Sequence, residues 1–156
     1  MNDTELTQEE IELAEQFVRT IRAMAQSLLE MHCMRPALAE AVCKHIAGDD
    51  PRPHHLAAYL AGLASRTVRA LLANAPDAQI TFHHVHLGPD GVTVAESPEE
   101  APPEHTLAAR LIVAAAREDG DTARALTDAF FDQHPERVAA MLALLVRHAH
   151  TEMHKR

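Results

Sequence analysis

Residues 7–34 carry the strongest helical period in the chain, and a chain that begins this way is built by packing helices. Thr7, followed three residues later by Glu10, has the form of a capping box. At about 100° per residue, Ile11, Leu13, Ala14, Phe17, Val18, Ile21, Met24, Ala25, Leu28, Met31 and His32 fall in one arc of roughly 160°. Glu12, Glu15, Gln16, Arg19, Gln26, Ser27 and Glu30 occupy the other side. Pro36 stops this helix and suits the first turn of a second, which runs to about residue 47 on Leu38, Ala41, Val42, His45 and Ile46 before Gly48 ends it.

The turn Asp49-Asp50-Pro51-Arg52-Pro53 leads into a third expected helix over 54–75, with Leu56, Tyr59, Leu60, Leu63, Ala64, Val68 and Leu71 on its apolar side. The period then changes to alternation. Residues 79–87 read as a strand, Gly88-Pro89-Asp90-Gly91 as a turn and 92–95 as a return strand. A lone two-stranded hairpin is marginal in water, so it is expected to lie on helices or to pair with the hairpin of a second subunit. Residues 96–106, rich in Pro and Glu, read as an exposed acidic connector. Beyond it, 107–118 is apolar almost all round and is expected to be a central buried helix. A short helix to about residue 133 follows, with Ala123, Leu126 and Phe130 inward, and Pro135 opens a last helix carrying Val138, Met141, Leu142 and Leu145.

The expected fold is therefore mainly α: five to six helices in a bundle-like or orthogonal array with one β-hairpin near residues 79–95. The 156 residues are expected to form a single domain, in which the connector separates an N-terminal helical part plus hairpin from a C-terminal helical part. Residues 107–142, with Gly120, Ala125 and Pro135, resemble one tetratricopeptide-type helical hairpin. A solenoid needs about three such units and the Gly-to-Pro spacing here is too short, so no family is assigned.

Charge narrows the partners. The net charge of −9 disfavours a phosphate backbone, so no nucleic acid is expected. No apolar run approaches the roughly 18 residues of a membrane span, and the first residues lack a signal-peptide pattern, so a cytoplasmic protein without membrane contact is expected. Locally the charge is segregated: residues 51–75 hold Arg52, Arg66 and Arg69 and no acid, whereas 76–106 hold six acids and no Lys or Arg. Such segments can attract each other within a chain or between subunits. Cys33 and Cys43 are too few for a disulfide framework and read as buried or inert thiols.

The 12 histidines are the remaining chemical signal. Alternation places His84 and His86 on one face of the first strand, a His-x-His geometry that divalent transition metals such as zinc accept. A third ligand would have to come from Asp90, His54, His55, Glu96 or His105. His32 and His45 fall within apolar stripes and are expected in the core, while His150 and His154, spaced i, i+4, read as surface residues. No serine lies in a nucleophile elbow, no glycine-rich phosphate loop is present, and Cys43 and His45 point to different sides of a helix.

No complete catalytic constellation emerges, and no catalytic or cofactor-binding residue is assigned. The leading expectation is a non-enzymatic interaction or regulatory protein, a homodimer, that engages a protein partner through the hairpin and connector. The alternative is a transition-metal-binding protein or metal-dependent enzyme with His84 and His86 as ligands. A small-molecule pocket lined by Met24, Met31, Phe82 and Phe130 is a lesser reading, since such residues more often form a core.

Overall fold

The computed structural model describes residues 5–48, 52–80, 82, 84–87, 93–96 and 101–155. Its elements in chain order are α1 (Gln8–Met34), α2 (Pro36–Ala47), α3 (Arg52–Ala64), α4 (Arg66–Asn74), β1 (His84–Leu87), β2 (Thr93–Glu96), α5 (Pro103–Ala116), α6 (Gly120–Gln133) and α7 (Val138–Met153), with a 3₁₀ turn Pro135–Arg137 leading into α7. The Thr7 capping box forms as the spacing predicts: the Glu10 amide donates to Thr7 Oγ1 at 3.2 Å, and the Thr7 amide donates to Glu10 Oε2 at 2.8 Å. Pro36 takes the first turn of α2 directly after α1 ends.

The mainly α character holds, but the expectation of five to six helices with a β-hairpin over 79–95 is corrected. Among the described residues there are seven α-helices, because the single helix expected over 54–75 is two, bent by 56° at Ser65. Ser65 is fully buried; its hydroxyl donates to the Gly62 carbonyl at 2.7 Å and accepts from Arg69 Nε at 2.9 Å. A serine that satisfies itself on the preceding turn competes with the regular ladder and bends the helix. The residues 79, 80 and 82 are not strand. Ile80 and Phe82 instead pack, half-buried, against the helical core, and an apolar side chain with a core to lie on needs no cross-strand partner.

What pairs is a short antiparallel ladder, His84 with Glu96 through Leu87 with Thr93. Among the described residues the closely packed elements are helix on helix, apart from these two strands on each other, so no sheet forms a layer of the body. The connector is also shorter than expected, since Pro103, Glu104, His105 and Thr106 form the first turn of α5 and are half-buried. Of the rest of that stretch, 97–100 lie outside the described residues.

The centre of the body is α7, not the helix after the connector. Val138, Met141, Leu142, Leu145, Val146 and Ala149 are all buried, and α7 packs on α1, α2, α3 and α5. Helix α5 buries Leu107, Ala108, Leu111, Ile112 and Ala114 but leaves Arg110 exposed, so it lines the body rather than running through it. A tight turn carries the chain from α5 into α6. Glu118 adopts φ 55°, and the amides of Glu118 and Asp119 donate to the carbonyls of Ala115 and Ala114, the reversal by which a left-handed residue closes a helix end. Among the described residues no single helix is long and apolar enough to cross a membrane.

Candidate interaction surface

The metal reading rests on residues that the structure leaves largely undescribed. His84 and His86 lie on β1, but their side chains, like the whole of Asp90, fall outside the described residues. Two of the proposed third ligands are engaged elsewhere: His54 Nε2 pairs with Asp128 at 3.2 Å while its ring lies 4.1 Å from Phe131, and His55 meets Phe17 edge-on at 4.8 Å. His105 is on α5 and Glu96 pairs with His84 along the ladder. Among the described residues no three His, Cys, Asp or Glu side chains are placed to hold a metal ion.

The other sequence-predicted positions divide. His45 is exposed, against expectation, because α2 turns Ala39, Cys43 and Ile46 inward and leaves Leu38 out. In a helix this rich in alanine, several faces are apolar enough to be buried, and packing chooses between them. Cys43 is fully buried, and burial together with the nearby Glu40 carboxylate pushes its thiol up to about 11, which makes it inert near neutral pH. Cys33 is exposed, and neither cysteine is in a disulfide.

His150, expected at the surface, stands between two other imidazoles. Its ring is 5.0 Å from His32 at the end of α1 and 4.3 Å from His154, and its Nε2 is buried without a hydrogen-bond partner among the described residues. Burial, then the neighbouring His154 and His32, hold its pKa below the ordinary 6.5. The i, i+4 spacing of His150 and His154 was visible in the sequence, but their junction with His32 requires knowing that the end of α1 lands on α7.

The larger unabsorbed feature is α1 itself. Ile21, Ala25 and Leu28 are buried, as the apolar arc predicts, and so is Leu29, which the arc did not name. On the N-terminal half of the same arc, Phe17 is half-buried, yet Leu13 is 60% and Val18 51% exposed, and Ile11 and Ala14 are exposed as well. The helix thus begins about two turns before the body that covers it. The stretch around this uncovered stripe is acidic, with Glu9 and Glu15 on its two flanks: residues 5–18 hold Glu5, Glu9, Glu10, Glu12 and Glu15 and no Lys or Arg. No protein family, curated protein or solved structure matches the chain.

Proposed function

We propose that the protein is a non-enzymatic interaction module in which residues 8–18 of α1 receive a basic amphipathic helix from a partner protein. One observation carries this reading: an apolar stripe that is buried from Ile21 onward continues uncovered through Ile11, Leu13, Ala14 and Val18. Ile11, Ala14 and Val18 stand at i, i+3 and i+7, the spacing by which one helix anchors another. Charge selects the occupant. Antiparallel pairing of two copies over this stretch would set four glutamates against four, whereas a helix rimmed by lysine or arginine would meet opposite charge along both flanks.

The expected roles of the hairpin and connector join this proposal, since residues 76–106 add six acids and no base to the same end of the charge balance. Self-association through the hairpin remains the homodimeric form of the proposal. A fluorescent peptide with leucine and lysine at amphipathic helical spacing is the probe, with a leucine and glutamate peptide of the same pattern as the control. By fluorescence anisotropy, the lysine peptide should bind more tightly, weaken with salt, and lose about tenfold or more in affinity to a Leu13→Glu/Val18→Glu variant. Equal binding of both peptides, or undiminished binding to the variant, would overturn the proposal. So would a wild-type dimer in sedimentation that the same variant dissociates.

A further inference from the structure

A cleft of about 890 Å³ lies on the side of the body where α5 is open to solvent, within the size range of small-molecule sites. Its lining joins Arg110 and Val113 of α5, and Arg117 just after that helix, with Leu144, Arg147 and His148 of α7. Three guanidinium groups share this cleft in a chain whose net charge is −9. Arg117 is turned to the Ala78 carbonyl at 3.1 Å, a neutral acceptor that leaves its charge in place. Arg110 and Arg147 pair with no carboxylate among the described residues, unlike Arg69 on Glu118 and Arg137 on Glu104.

The carboxylate of Asp119, the only one in the cleft lining among the described residues, is occupied. It caps α6, accepting from the Thr122 amide at 3.1 Å and the Thr122 hydroxyl at 2.6 Å, and these bonds hold its pKa below the ordinary range. The cleft lining therefore includes two guanidiniums that pair with no carboxylate among the described residues, together with the apolar Val113 and Leu144. Guanidinium groups hold carboxylate or phosphate oxygens through paired N–H donors, and an apolar wall rewards a hydrocarbon chain attached to that head.

We propose that this cleft binds an anionic amphiphile, a single carboxylate or phosphate head on an alkyl chain, with Arg110 and Arg147 holding the head and Val113 and Leu144 lying along the chain. The site is separate from the α1 stripe, and neither proposal depends on the other. The neighbourhood of His148 agrees with it: burial, then the charge of Arg147 and the adjacent His105, hold that imidazole below 6.5, so a bound anion should move its titration upward.

The test is calorimetric titration of the full chain with decanoate, decyl phosphate, decanol and inorganic phosphate, repeated on Arg110→Ala/Arg147→Ala and Arg110→Lys/Arg147→Lys variants. One of the two amphiphiles should saturate at one molecule per chain, and which one does so identifies the head. The alanine variant should lose about tenfold or more in affinity and the lysine variant less, because lysine keeps the charge without the planar donor pair. Decanol and inorganic phosphate should each bind at least about tenfold more weakly than the preferred amphiphile. The His148 ring proton, followed by NMR, should titrate at higher pH in the complex.

Both arginines are exposed, so the variants should melt where the wild type does, and a melt confirms that they are folded. Four outcomes would each overturn the proposal: no saturable binding of either amphiphile, equal affinity of the alanine variant, decanol binding as tightly as the preferred amphiphile, or inorganic phosphate binding as tightly as the preferred amphiphile.

Discussion

The two halves of α1 carry one apolar repeat and meet different surroundings. From Ile21 onward the repeat enters the core against α2, α3 and α7, and Leu28 is 1% exposed. Before Phe17 the same arc faces water, with acidic residues on both flanks. Periodicity states which face of a helix is available for burial. Whether that face is covered is decided by where the neighbouring helices end, which no local pattern records.

The largest effect that would break this comparison is at the buried half. Leu28→Ala should cost about 2–5 kcal/mol, because it opens a cavity among side chains that relax only in part. Leu13→Ala should stay within about 0.5 kcal/mol. Denaturant unfolding at two protein concentrations measures both. If Leu13→Ala cost as much as Leu28→Ala, and the midpoint rose with concentration, the overhang would be buried between copies of the chain in solution.

The contrast also shows what the sequence made legible. The capping box at Thr7, the break at Pro36 and the inward residues Val138, Met141, Leu142 and Leu145 were readable because each rests on neighbours within one or two turns. The bend at Ser65 was not, since the apolar period of 54–75 runs through it without proline, and the competing bond from Ser65 to the Gly62 carbonyl leaves no compositional mark. The inward face of α2 was misread for a related reason: alanine makes several faces acceptable. The arginines of the cleft were unremarkable as isolated residues. Arg110 and Arg147 are 37 positions apart, and only the packing of α5 against α7 puts them on one surface.

Of the polar contacts that tie α7 to the helices around it, Glu152 should matter most. It is buried on α7, accepts from Thr67 Oγ1 at 2.9 and 2.8 Å on its two oxygens, and accepts from Lys155 Nζ at 2.8 Å. Burial works to raise its pKa, but the bonds from Lys155 and Thr67 outweigh it and hold the carboxyl below the ordinary 4.5. Glu152→Ala should cost roughly 1–3 kcal/mol. Because the folded value is depressed, this stabilisation is present above 4.5 and is lost as pH falls through the lower folded value. Acid unfolding of Glu152→Gln should lack that part of the slope; an unchanged slope would show that Glu152 is not the titrating group.

His150 gives the comparison a second pH axis at a smaller amplitude. Its folded pKa is below 6.5, so the unfolded chain takes up the proton first as pH falls. Stability should therefore begin to drop near pH 6.5 and stop dropping below the folded value. His150 touches His32 at the C-terminal end of α1, so the loss should be felt at the buried half. His150→Asn should flatten the melting temperature between pH 7 and about 5.5 relative to wild type; a parallel decline in both proteins would assign the effect to another histidine.

The smallest effect sharpens the boundary itself. Thr7→Ala removes the hydroxyl that accepts from the Glu10 amide, a capping loss of about 1 kcal/mol in the helix it starts. If the overhang were part of the cooperative unit, that loss would appear in global unfolding. Since its apolar residues are uncovered, the first turns of α1 can fray while Ile21 and Leu28 remain in place, and global stability should be almost unchanged. Amide hydrogen exchange separates the two: rates should rise by several-fold from Glu10 to about Ala14 and stay constant from Ile21 on. A uniform rise along the whole of α1 would mean that its halves unfold together, and the difference in burial would then have no counterpart in stability.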